Sequence, residues 1–174
     1  MNYRVNTDSA RPQPFPPHGR ISVEVHGTNN DLIHVKCFGA FNKETMLALV
    51  DIQQRYRDLL CPKRYVIVEF IDTCLALPEF FAEATRHHKE LVSRGQSSKA
   101  VAYVMRKGIE GKSMMKGFYL GVYKDAGIPV VVTETVDEAR QWLKEKGLGS
   151  AQTNENWSTL AESNRAHAAL QAAT

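Results

Sequence analysis

Residues 64–74 read RYVIVEFIDTC. From Tyr65 to Ile71 every residue but one is aliphatic, β-branched or aromatic, and the exception is an acid, Glu69. A short apolar run of this kind is a strand covered on both faces, as in the middle of a parallel sheet. The run stops at Asp72-Thr73-Cys74, and a helix opens near Pro78, a residue tolerated in a first helical turn. In a parallel sheet, the loop after such a strand is where ligands and partners are usually met.

Upstream, Ile21 to His26 alternates apolar and polar residues, the mark of a strand with two unlike faces. Residues 27–30, GTNN, supply turn chemistry. Leu32 to Phe38 follows as a second strand, with Ile33, Val35 and Cys37 on one face and Leu32, His34, Lys36 and Phe38 on the other. The pair reads as a hairpin with a polar outer side. Asn42 is a candidate N-cap, with Glu44 in the first turn of an amphipathic helix over 43–60. Cys61-Pro62 ends that helix, because the residue before proline is pushed out of helical geometry.

Downstream, a helix from Pro78 to about Gly95 turns Phe80, Phe81, Ala84, His88, Leu91 and Val92 inward. Ala100 to Met105 is a buried strand. A helix over 111–125 carries Met114, Met115, Phe118, Tyr119 and Val122 as apolar contacts. A strand begins at Pro129, and a last helix capped by Thr135 or Asp137 ends at Gly147. The order is ββαβαβαβα. It predicts an α/β domain: an N-terminal β-hairpin, then β-α repeats, giving a mostly parallel five-stranded sheet with about four helices.

The domain is expected over 20–147. Residues 1–19 hold four of the seven prolines and read as a flexible arm; residues 148–174 read as a polar, Ala-rich tail with Trp157 and Leu160 as anchors. At 174 residues the chain suits one domain with a real core. No apolar run approaches the roughly 20 residues that span a bilayer, and the N-terminal stretch has no signal-like apolar segment. These features place the protein in the cytoplasm. Three widely spaced cysteines without a CxxC pair exclude a disulfide framework and a cysteine-based structural zinc site. A net charge of +3 is too small to imply nucleic-acid binding.

The element order, the chain length and the ending IPVVVTETVDEARQWLKEKG (residues 128–147), with Ala139, Trp142 and Leu143, resemble the SpoIIAA-like superfamily of STAS domains. Its members include anti-sigma factor antagonists and STAS-like or SEC14-like single-domain bacterial proteins. The resemblance implies a non-enzymatic regulatory or interaction module, with no cofactor, that docks a protein partner through its β-α loops. In the signalling members, the loop after the central strand carries an Asp followed by a phosphorylatable Ser or Thr. Asp72-Thr73 matches that pair, so Asp72, Thr73 and Cys74 form a candidate regulatory loop.

Each candidate has a plainer reading. Asp72 can cap a turn while Cys74 packs. Cys74 as a nucleophile would need a base, and the nearest in sequence, His87 and His88, lie three turns along the next helix. Adjacent histidines diverge by about 100° on a helix, so one should be semi-buried and the other exposed, and neither a metal ligand. A second candidate is the basic segment over 99–124, which has six Lys or Arg against one Glu. There Lys107, Gly108, Gly111 and Lys112 fall at a strand exit and helix start, where backbone N–H groups favour anions, and Arg106, Lys107, Lys112 and Lys116 are the candidate anion- or partner-binding residues. The alternative function is therefore a carrier or sensor of a small anionic or lipid-like ligand, with a pocket near this basic third helix. A homodimer is a further open option.

Overall fold

The computed structural model describes residues 3–12, 15–26, 31–60 and 64–149. The turn at 27–30, the Cys61-Pro62 stop and the tail beyond 149 lie outside the described residues. Six strands form one sheet: β1 (Tyr3–Asn6), β2 (Arg20–His26), β3 (Leu32–Phe38), β4 (Tyr65–Phe70), β5 (Ala100–Val104) and β6 (Val130–Thr133). They lie side by side in sequence order; β1-β2 and β2-β3 are antiparallel and the rest parallel. The α/β architecture, the hairpin and the parallel repeats match the expectation, with one more strand than the five counted from sequence.

That strand corrects the reading of 1–19 as an arm. Tyr3–Asn6 pairs with Ser22–Val25. Thr7 is buried and its hydroxyl accepts from Ile21 N at 3.0 Å. Asp51 takes Arg11 Nε at 2.6 Å and Arg11 N at 3.1 Å. Asn42 accepts from His18 N at 2.9 Å and donates to Pro16 O at 3.1 Å. Proline removes donors but leaves carbonyls, and here side chains of the following helix satisfy the backbone of the proline-rich segment.

Four helices of ten residues or more follow the parallel strands: α1 (Lys43–Arg55), α3 (Pro78–Ser93), α4 (Lys112–Lys124) and α5 (Val136–Glu145). A single-turn helix, α2 (Arg57–Leu60), follows α1. The one helix expected over 43–60 is divided because Tyr56 leaves helical geometry, with φ −111° and ψ 35°. Capping boxes start α1 (Asn42 with Thr45) and α5 (Thr135 with Glu138).

Consecutive parallel strands in sequence order, joined by crossovers of one hand, put the intervening helices on one face of the sheet. So α1, α3 and α4 cover one face, over Val23, Val35, Val68, Phe70, Val101 and Tyr103. Helix α5 returns to the other face, over Tyr65, Ile67, Ala102 and Val104, using Ala139 and Leu143. Leu148 is buried with this second group, so the packed unit runs past 147. Helix α4 ends the three-helix layer and, among the described helices, packs beside α3. Its sheet-facing stripe is Met115, Tyr119, Val122 and Tyr123. Met114 and Phe118, expected in the core, lie on its open flank at 64% and 58% exposure, and Val92 on α3 is likewise exposed.

Candidate functional site

The central loop is held by its own polar side chains. Asp72 Oδ1 accepts from Gly39 N and Thr73 N, both at 2.8 Å. Thr73 is buried; its hydroxyl accepts from Leu75 N at 3.1 Å and donates to Glu110 O at 3.4 Å. Cys74 Sγ donates to the same carbonyl at 3.2 Å, and Tyr119 Oη donates to Cys74 O at 3.0 Å. Gly111 takes φ 82°, and a Cβ there would stand 2.7 Å from Leu75 Cδ2. The Asp72-Thr73-Cys74 loop is thus stitched to the loop between β5 and α4. Burial raises the Cys74 thiol above its usual range, so it is a packed thiol and not a thiolate.

The four basic candidates divide. Arg106 reaches across the sheet edge and pairs with Glu69. Lys112 Nζ donates to Glu134 Oε1 at 2.7 Å. Lys107 and Lys116 are exposed. The structure therefore draws Arg106 away to the α5 side of the sheet and does not bring the four into one anion cradle.

The feature with most chemical content lies beneath the three helices. A cavity of about 100 Å³ runs between the sheet and α1, α3 and α4. Its walls include Val35, Val68, Phe80, Ala84, Tyr103 and Val122, and its polar groups include Gln53, His88, Gln96, Ser98, Tyr103 and Tyr123. Gln96 and Ser98 are partly exposed and precede β5, so this end of the cavity faces away from the β-α loops. The rings of Tyr103 and Tyr123 pack edge to face, with centroids 5.8 Å apart. Burial pushes both phenols up, so both stay neutral.

His88 stands out among these groups. Its ring lies 4.4 Å from that of Tyr123, and its Nδ1 is buried with no hydrogen-bond partner among the described residues. Burial, reinforced by the neighbouring His87, lowers its pKa to about 3, so the imidazole is neutral at physiological pH. His87 is also buried and donates from Nε2 to Gln53 Oε1 at 2.6 Å. The expectation of one exposed histidine is corrected: α3 is flanked by α1 and α4, so two directions 100° apart both meet protein. An unsatisfied buried polar atom costs about 1–3 kcal/mol. At roughly 24 cal/mol per Å³, a cavity of about 100 Å³ costs about 2 kcal/mol more.

The other sheet face carries a different cluster. Glu24, His26, His34, Lys36 and Glu69 lie together there, with His34 and Glu69 almost fully buried. His34 Nε2 donates to Glu69 Oε2 at 3.0 Å, and Arg106 closes on the other carboxylate oxygen. Sequence reading placed His34 and Lys36 on this face and noted Glu69 as an interruption. The missed signal was their common parity: Lys36 pairs in register with Glu69, and His34 with Glu24.

Comparison with protein-family models, with curated proteins and with solved structures found no match to this chain.

Proposed function

We propose that this chain is a non-enzymatic ligand-binding module, STAS-like in the order of its strands and helices. Its ligand is a small, uncharged, single-ring compound bearing a hydroxyl, held in the cavity under α1, α3 and α4. The observation that carries this reading is His88 Nδ1, a buried polar atom without a partner among the described residues, in the wall of a mainly apolar cavity. A hydroxyl can donate to or accept from an imidazole nitrogen, so it satisfies His88 in either neutral tautomer. The ring would replace contacts that an empty cavity lacks. A charged ligand fits poorly, because no Lys or Arg among the described residues lines the cavity and burying an unpaired charge is costly. The buried free thiols Cys37 and Cys74 suit a reducing, cytoplasmic setting.

Calorimetric titration with phenol tests the reading. Wild-type protein should bind one equivalent, and Ala84→Phe, which fills the cavity, should bind none while keeping a native circular dichroism spectrum. Absence of binding to wild type, or equal binding to the filled variant, overturns it.

A second reading rests on a separate observation. Leu77, Met114 and Phe118 are exposed at the loop end of α3 and α4, with Phe118 stacked on Phe81 at 5.4 Å and Lys112 and Lys116 on the same helix. Exposed apolar patches rimmed by charge mark interaction surfaces, so a protein partner or a second copy of the chain would dock here. Sedimentation of Phe118→Asp against wild type, alone and with candidate partners, checks it; unchanged association removes this surface.

A further inference from the structure

On the face of the sheet away from the cavity, Glu24, His26 and His34 bring one ligand atom each to within 4.8 Å of one another. All three stand on the two neighbouring strands β2 and β3. His34 is directly opposite Glu24 in the antiparallel register, and His26 follows Glu24 by two residues on the same face. We propose that these three side chains form a site for a borderline divalent cation of the zinc class, with water completing the coordination.

The donor set suits that metal: imidazole and carboxylate are the ligands of open, three-protein-ligand zinc sites. Geometry supports it as well. Donor atoms around a tetrahedral zinc lie about 2.1 Å from the metal and hence about 3.4 Å apart. His26 Nε2 and Glu24 Oε2 already stand 3.5 Å apart. The remaining closure, from at most 4.8 Å, is within reach of side-chain rotation on fixed strands.

Support comes from behind the ligands. Histidines that bind metals almost always donate their other ring N–H to a carboxylate, which fixes the ring and its tautomer. His34 does this from Nε2 to Glu69, and Glu69 is itself held by Arg106. The assignment makes Nδ1 of His34 the metal-facing nitrogen. It also gives Glu69 a reason to interrupt an otherwise apolar central strand.

Two cations now balance Glu24: Lys36 Nζ at 3.4 Å and Arg4 Nε at 3.7 Å. Both sit on long side chains, and Arg4 is more than half exposed, so a dication arriving at Glu24 can displace them. Lys36 thereby acts as a competitor for the site, and its removal should tighten binding.

The test is equilibrium dialysis of the full chain against Zn²⁺, followed by visible absorption of the Co²⁺-loaded protein. One equivalent should bind, with a tetrahedral Co²⁺ spectrum. Glu24→Gln and His26→Gln should each weaken binding by about tenfold or more, and Lys36→Met should strengthen it, all with native circular dichroism. His18→Gln, which alters an exposed histidine outside the cluster, should change nothing. The proposal is overturned if wild type binds no metal, if binding survives both ligand variants unchanged, or if His18→Gln abolishes it. Should His26→Gln fail to fold, Glu24→Gln and Lys36→Met decide alone, since they predict opposite shifts.

Discussion

The two faces of the sheet are built from the same strands by simple alternation, yet they handle polar groups in opposite ways. On the α5 side, Glu24, His34, Lys36 and Glu69 are buried or half-buried and, together with the exposed Arg106, are tied to one another by hydrogen bonds and ion pairs. Under α1, α3 and α4, the surroundings are mainly apolar, the His88 Nδ1 has no partner among the described residues, and the packing leaves a void. A closed polar network stabilises its own arrangement and tolerates loss of a member badly. A void with an unsatisfied group is a standing cost that a ligand can remove. The difference separates the face on which we propose a small molecule from the face on which we propose an ion.

Loss of Glu69 should have the largest effect. Glu69→Ala leaves the buried His34 without its acceptor and should cost about 2–3 kcal/mol, read as a lower urea midpoint. A cost below that of an ordinary surface substitution would break the contrast between the faces.

Acid should act next, through His88. Its folded pKa lies below the unfolded value of 6.5, so below pH 6.5 the unfolded chain binds a proton that the folded chain refuses until about pH 3. The stability due to the neutral imidazole is therefore intact above pH 6.5 and is lost as pH falls through that window. The loss is about 1.4 kcal/mol per pH unit, or roughly 2 kcal/mol by pH 5. Urea melts across this range should show the slope in wild type.

His88→Leu removes the unpaired nitrogen while keeping most of the volume. It should raise stability by about 1–2 kcal/mol and remove His88's share of the pH dependence below 6.5, leaving the slopes due to His34, His87 and the carboxylates. The same substitution strategy applied to His34 should destabilise, because His34 has a partner to abandon. Equal signs at the two histidines would contradict the account.

The smallest effect is expected at the central loop. Tyr119→Phe deletes the donor to Cys74 O and should cost about 1 kcal/mol, measured as a small fall in thermal midpoint. A loop that hosts the main activity would be expected to respond in binding as well as stability.

Much of the fold was legible in the sequence because burial patterns are local. The apolar run at Tyr65 to Ile71, the alternation in β2 and β3, and the caps at Asn42 and Thr135 each depend on neighbours a few residues away. β1 escaped because four residues, YRVN, offer too little period to set against the prolines that follow. The candidate sites were harder, since they depend on long-range geometry. His34 and Glu69 are 35 residues apart in sequence, and only the register of β3 with β4 reveals that they share a face. The cavity depends on how three helices fill a volume, which no single segment encodes. His88 could be placed inward by helical period, but its lack of a partner is visible only once Tyr123 and the walls around it are in position.

The most direct test of the central claim is nitrogen NMR of histidine-labelled protein, following His88 through a pH titration and then through addition of phenol. The account predicts a His88 imidazole that stays neutral well below pH 6.5 and whose Nδ1 resonance moves when phenol binds. A His88 that titrates near 6.5, or an Nδ1 resonance unmoved by saturating phenol, would contradict it.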